Sequence, residues 1–275
     1  MLGRRPVRLT PVSGGYTQAV RLLAELEDGS RAFVKIAIDE LTAGWLRDEH
    51  HVYAAVEGSF LPDLLGFDDD GERPVLALED LSEASWPPPW PRDSIDAVRR
   101  ALDELHAVEP PPGTPSILDV EPLFVGWDQV EHAPKPFLAL GLCSRAWLEF
   151  HLPVLVEAAE TAPFAGEALI HLDVRSDNIC LREGTALLVD WNQACIANPD
   201  VDLASWAPSL RMERGPEPWS CSQVSRDSRP GWPASSPRGP GCRRLPRRIL
   251  PCVRSSSPSS KSRCRGLRGS SACPL

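Results

Sequence analysis

Residues 171–178 read His171-Leu172-Asp173-Val174-Arg175-Ser176-Asp177-Asn178, and the acid of Asp190-Trp191 follows twelve residues later, at the end of an apolar run. The pattern is H-x-D-x-x-x-x-N and then a carboxylate. Phosphoryl transfer from ATP explains why these residue types would stand together. One carboxylate orients the attacking hydroxyl and takes its proton, while an amide and a second carboxylate hold Mg²⁺ against the phosphates. Asp173 and Asn178 share a loop, and the hairpin leading to Asp190 is short enough to bring all three to one point. With 6 His, 19 Asp and 3 Asn in 275 residues, chance supplies about 0.005 copies of the pattern. The plainer alternative, a core histidine beside a loop-capping aspartate, explains each residue singly but not their spacing.

Upstream, a phosphate-binding cation and an acid to hold it are expected. Ala32-Phe33-Val34-Lys35-Ile36 places one lysine in a β-branched strand, and Glu49 lies on the following helix with Val52, Tyr53 and Val56. By itself Lys35 would read as a surface lysine; beside the loop it fits phosphoryl transfer. The surrounding pattern predicts strands over Val7–Val12, Tyr16–Leu26 and Ala32–Ile38, a helix over Leu41–Val56, and strands over Leu64–Phe67 and Pro74–Leu78. Turn-rich Glu27-Asp28-Gly29-Ser30 and Asp68-Asp69-Asp70-Gly71 separate the strand pairs. The order β-β-β-α-β-β, with such short turns, predicts a small antiparallel sheet.

After Glu79 the pattern changes. Trp86-Pro87-Pro88-Pro89-Trp90-Pro91 cannot form a regular element. A helix is expected over Asp93–Val108, burying Ile95, Val98, Leu102 and Leu105. A longer one is expected over Pro136–Ala159, interrupted near Pro153. Short strands flank the 171–178 loop, and a further helix is predicted over Asp202–Leu210.

These residues together resemble the aminoglycoside phosphotransferases and related small-molecule kinases, which share a protein-kinase-like fold. The resemblance runs from about Leu9 to Leu210. It rests on Phe33-Val34-Lys35, Glu49, Leu76 to Ser82, His171 to Asn178, Asp190-Trp191 and Asn198 to Ala204. It implies an α+β, two-lobed fold: a nucleotide-binding lobe of antiparallel sheet at 1–80 and a helical catalytic lobe at 81–210, cut short. It implies Asp173 as catalytic base, Lys35 on the ATP phosphates and Glu49 orienting Lys35. Asn178 and Asp190 would ligate Mg²⁺, the Glu79 carbonyl and Leu81 amide would meet adenine, and His171 and Asp202 would support the loop. Ser13-Gly14-Gly15 stands where a phosphate-covering turn would be, although an ordinary hairpin turn explains it equally well. Trp191 after the acid, and the lack of Ala-Pro-Glu, separate the chain from protein kinases and point to a small alcohol or amine as acceptor. A catalytically defective nucleotide-binding module is the rival reading. A metal-dependent hydrolase would need more clustered ligands than the other histidines offer.

Composition narrows the classes further. Residues 1–210 carry 15 Lys/Arg against 35 Asp/Glu, whereas residues 211–275 carry 14 against 3. The acidic body is a poor partner for nucleic acid, and its acids suit either a cationic acceptor or plain solubility. No run approaches the length of a membrane span, no secretory signal is visible, and the body's three cysteines predict a reducing cytoplasm. The segment 211–275 is rich in Pro, Ser, Arg and Gly and scatters five cysteines. It reads as a disordered basic arm or, as this composition favours, as the product of a frameshift. On the latter reading the acceptor half of the site is largely lost, and poor solubility is expected.

Overall fold

A computed structural model describes residues 3–13, 18–120 and 126–216. Gly14 and Gly15 of the candidate phosphate-covering turn, and the basic segment beyond residue 216, lie outside these residues.

The first part is a five-stranded antiparallel sheet of β1 (Pro6–Pro11), β2 (Val20–Leu26), β3 (Arg31–Ile36), β4 (Leu64–Asp68) and β5 (Val75–Glu79), in the order β1-β2-β3-β5-β4. β3 is central, and its register sets Lys35 between Arg21 and Leu76. The β4–β5 turn forms because Asp70 Oδ1 accepts the amides of Glu72 and Arg73, while Gly71 takes a φ of 94° that residues with a Cβ avoid. Between β3 and β4 runs α1 (Glu40–Ala55). A reciprocal cap starts it: Asp39 Oδ1 accepts the Thr42 amide at 2.8 Å, and the Asp39 amide donates to Thr42 Oγ1 at 3.1 Å. Its inner face buries Leu46, Val52 and Tyr53, with Glu49 in the same row.

The linker from Asp80 leads into α2 (Arg92–Leu105), which buries Ile95, Val98, Leu102 and Leu105 as its periodicity predicts. Short helices α3 (Ile117–Val120), α4 (Trp127–His132) and α5 (Pro134–Leu138) precede α6 (Arg145–Glu160). Then come β6 (Ala168–Ile170), a 3₁₀ turn (Ser176–Asn178), β7 (Ile179–Arg182), β8 (Thr185–Leu188), β9 (Cys195–Ala197) and α7 (Asp200–Met212). β7 and β8 form a hairpin, and β6 pairs with β9. One apolar core joins the two parts: Val52, Tyr53, Phe60 and Leu76 pack with Val98, Leu102, Ile179, Leu188, Trp191 and Trp206. Phe60 meets Trp191 at a ring separation of 5.8 Å. Each large apolar side chain buried here contributes roughly 1.5–3 kcal/mol.

The structure corrects the sequence reading in five places. The expected helix over Pro136–Ala159 is two helices, and the break falls at Ala139–Ser144 rather than near Pro153. Gly141 turns left-handed (φ 68°), and Ser144 Oγ caps α6 by accepting the Trp147 amide at 3.1 Å. Pro153 stays inside α6 on its exposed side. β2 begins at Val20 and α2 ends at Leu105, both shorter than expected, whereas α7 starts at Asp200 and runs through Pro208 to Met212. The strand β9 was not expected. Among the described residues no helix is long and apolar enough to cross a membrane.

Candidate active site

The site grows from three elements that end at one place. β3 delivers Lys35, whose side chain is buried because the strand is central in the sheet. α1 delivers Glu49 from its inner face. The chain leaving β8 delivers Asp190. Lys35 Nζ donates to both carboxylate oxygens of Glu49 at 2.8 Å and to Asp190 Oδ1 at 2.7 Å. Burial works against the lysine's charge, but the two carboxylates outweigh it and hold the ammonium above its ordinary range. Burial pushes the Glu49 carboxyl up, against the pull of Lys35. Burial also acts to raise Asp190, yet Lys35, Arg21 and His171 together leave it below its ordinary value.

The 171–178 loop is held from beneath. Asp202, fully buried near the start of α7, accepts the His171 amide at 3.0 Å and the Leu172 amide at 2.7 Å. This support lets Leu172 keep a φ of 66°, a left-handed conformation that costs a residue with a side chain on the order of 1–2 kcal/mol. Asp190, at φ 71°, is the second such residue of the site; backbone strain of this kind collects where a side chain must be aimed. His171 Nε2 faces the Val189 carbonyl at 2.9 Å and must donate to it, which leaves Nδ1 to accept the Asp173 amide at 3.3 Å. One tautomer of His171 thereby ties the loop to the segment that leads from β8 to Asp190.

Asp173 and Asn178 meet across the loop. Asn178 Nδ2 donates to the Asp173 carbonyl at 2.9 Å and to its Oδ2 at 3.0 Å, which turns Asn178 Oδ1 to the opposite side of its amide. Glu79 and Leu81 lie farther off, at the end of β5 and in the linker. The Glu79 carboxylate accepts the Asp63 amide at 3.0 Å and pairs with Arg182 of β7, while the Leu81 carbonyl accepts the Ala84 amide at 3.0 Å. Lys35, Glu49 and Asp190 thus form one cluster. Asp173, Asn178, His171 and Asp202 form a second, joined to the first through Val189, and Glu79 and Leu81 mark the linker.

Sequence reasoning did not single out three contributors. His106, closing α2, places Nε2 3.0 Å from Asp202 Oδ2. Arg175 Nε stands 3.2 Å from Asp173 Oδ1. Glu213, after α7, accepts from Ser176 Oγ and from Trp90 Nε1, linking the loop to the proline-rich linker. A histidine at the end of a strongly amphipathic helix was the one available signal; the other two contacts leave no local trace.

The sequence model of the phosphotransferase enzyme family APH matches residues 8–233. The chain belongs to that family and is by membership a kinase or phosphotransferase. The match continues beyond Leu210 into the segment whose composition turns basic. Among solved structures the chain is similar to macrolide 2'-phosphotransferase type I, at 16% identity and a TM-score of 0.56, over 84% of this chain and 80% of that one. It is likewise similar to the macrolide 2'-phosphotransferase MphH of Brachybacterium faecium, at 16% identity and a TM-score of 0.52, with the same coverage. At such identities the likeness shows the fold, a sheet lobe and a helical lobe of protein-kinase type. Curated proteins gave no significant match.

Proposed function

We propose that this chain transfers the γ-phosphoryl group of ATP to a hydroxyl or amine of a small molecule, an aminoglycoside-like compound being one candidate. The observation that carries the reading is the bond of Lys35 to both Glu49 and Asp190, which sets a cation between a helix acid and the acid after β8. Lys35 then binds the α- and β-phosphates and Glu49 orients it. The Glu79 carbonyl and Leu81 amide meet the adenine edge.

The donor set suits Mg²⁺. Among the described residues no three His, Cys, Asp or Glu side chains form a self-sufficient metal site. Asn178 Oδ1 and the Asp190 carboxylate instead offer two hard oxygens, and Mg²⁺ commonly takes one or two protein oxygens and completes its shell with phosphates and water. Bound there, the ion would neutralise charge on the β- and γ-phosphates. Asp173 hydrogen-bonds the acceptor hydroxyl. A bond forms from its oxygen to the γ-phosphorus as the bond to the β-phosphate oxygen breaks. The acceptor proton passes to Asp173, and ADP leaves with the bonding electrons. Asp202 and His171 keep the loop in place meanwhile. Free Cys143, Cys180 and Cys195 and the need for ATP fit a cytoplasmic setting.

The test joins calorimetry of Mg²⁺-ATP binding with transfer of labelled γ-phosphate to a panel of alcohols and amines. Binding together with transfer is expected. Binding without transfer to any acceptor would favour the nucleotide-binding module, and no binding would end both readings.

A further inference from the structure

The helix α7 meets the 171–178 loop at both of its ends. Near its start Asp202 accepts the amides of His171 and Leu172, ahead of Asp173. Past its last turn Glu213 accepts from the Ser176 hydroxyl on Oε1 and from Trp90 Nε1 on Oε2, the latter at 2.7 Å. Ser176 opens the 3₁₀ turn that delivers Asn178, so the two acids grip the loop on either side of the proposed base. From Asp202 to Glu213 the helix covers about 16 Å along its axis, and the chain from Leu172 to Ser176 spans at most roughly 14 Å. The two lengths are commensurate, with side chains making up the difference, and Asp173 stands between the anchors.

Helix electrostatics disfavour an acid at this position. Glu213 is the C-cap of α7: its amide donates to the Ser209 carbonyl at 3.1 Å, Arg214 then turns left-handed (φ 66°), and the Gly215 amide returns to the Leu210 carbonyl at 2.8 Å. A carboxylate here meets the negative end of the helix dipole and is repelled by it. Donors brought by other segments offset that repulsion, and Glu213 has two, one from the loop and one from the linker. The linker donor is itself fixed, because the Trp90 ring packs edge-on to Trp206 of α7 at 5.4 Å. We propose that Glu213 is a positioning residue for phosphoryl transfer. It acts through Ser176 to hold the turn that bears Asp173, and through Trp90 it ties that turn to the linker between the lobes. The proposal rests on the phosphotransfer reading above. Asn178 is buried and bonded to the Asp173 carbonyl, whereas the Asp173 carboxylate is partly exposed. Slackening the turn therefore shifts the aim of the base more than the hold on nucleotide.

Transfer of labelled γ-phosphate to the acceptor panel and thermal melting are measured for the unsubstituted chain, Glu213→Ala, Glu213→Gln, Ser176→Ala, Trp90→Phe and the double variant of Glu213→Ala with Ser176→Ala. Glu213→Ala should lower kcat roughly 10- to 100-fold, the loss that a displacement near 1 Å brings, and should raise KM for Mg²⁺-ATP no more than about threefold. Glu213→Gln keeps an oxygen for Trp90 and gains an amide that donates to Ser176 Oγ, and it should recover most of the loss. Ser176→Ala should match Glu213→Ala, and the double variant should lose no more than either. An unchanged kcat in Glu213→Ala, a rise in KM as large as the fall in kcat, or no recovery in Glu213→Gln would overturn the proposal. So would a loss in Trp90→Phe with none in Ser176→Ala, which would leave Glu213 as a contact of the linker. Should Glu213→Ala fail to melt cooperatively, Ser176→Ala carries the same comparison. Absence of transfer by the unsubstituted chain to any acceptor would remove the phosphotransfer reading and this proposal with it; transfer that persists unchanged in the variants removes the proposal alone.

Discussion

Lys35 and Asp190, 155 residues apart, meet at 2.7 Å, and the acid reaches the amine from a left-handed backbone position. This contact, with Glu49 behind it, sets a buried lysine and glutamate against a half-buried aspartate. Removing the cation would leave the carboxylates facing each other. Lys35→Met should therefore destabilise the fold by about 3–5 kcal/mol, the usual penalty for orphaning a buried charge. Adding Glu49→Leu should return part of the loss. Chemical denaturation of the single and double variants checks this; equal stability of Lys35→Met and the unsubstituted chain would mean the cluster is not energetically coupled.

Asp173→Asn should fold normally, since the side chain is about one-third exposed, and should lower phosphoryl transfer by about 10²–10⁴-fold. Asn178→Ala and Asp190→Asn should act earlier, by weakening productive Mg²⁺-ATP binding. Turnover near that of the unsubstituted chain in all three variants, against a broad acceptor panel, would end the kinase reading.

Asp202 accepts from two backbone amides and faces His106 with no exposure of its own. Asp202→Ala should cost on the order of 3 kcal/mol, because buried donors lose a charged acceptor. His106→Ala should cost less, about 1–2 kcal/mol. Limited proteolysis should then cut near residues 171–178 in Asp202→Ala before it cuts elsewhere. Cleavage there at the same rate as in the unsubstituted chain would count against the bracing role.

Alkaline pH should weaken the fold. Burial pushes the Cys180 and Cys195 thiols from 9.0 up to about 12, and Lys35 is also held above its ordinary 10.5. A group whose folded value is raised gives its full stabilisation below the unfolded value and loses it as pH climbs through the folded one. The melting temperature should thus stay level to about pH 9 and fall beyond it. Replacing either thiol with Ala should delay the fall. Iodoacetamide at neutral pH should spare both thiols in the native chain and label them after unfolding, which peptide mapping reads directly.

The sheet and the lysine and helix acid that meet on it were legible in the sequence because each signal was local. Alternation marks β3, the Asp-rich turn marks the β4–β5 hairpin, and four apolar residues at helical spacing mark α2. The H-x-D-x-x-x-x-N spacing brought Asp173 and Asn178 together before any coordinates. What escaped depends on distant partners or on competing local rules. Pro153 looked like the helix breaker, yet on an exposed face its lost amide bond was tolerated, while Gly141 and Ser144 made the true boundary. β9 is too short to show a period and exists only because β6 lies beside it. Arg175 was inside the motif, but its ion pairs with Asp173 and Asp177 leave no mark on the spacing. His106 meets Asp202 across 96 residues, a distance at which sequence pattern is silent.

The brace on the 171–178 loop also has a bearing on how the chain is made. The amides of His171 and Leu172 wait for a carboxylate 31 and 30 residues downstream. A ribosome adding about 5–20 residues per second needs roughly two to six seconds to supply it. During that interval the sheet lobe, α2 and the β7–β8 hairpin can all be in hand, while the left-handed turn at Leu172 has nothing to hold it. Synthesis therefore completes the Lys35 strand and the Glu49 helix early and the Asp173 turn late. A nascent chain halted before Asp202 would carry every residue of the H-x-D-x-x-x-x-N motif without the support that shapes it.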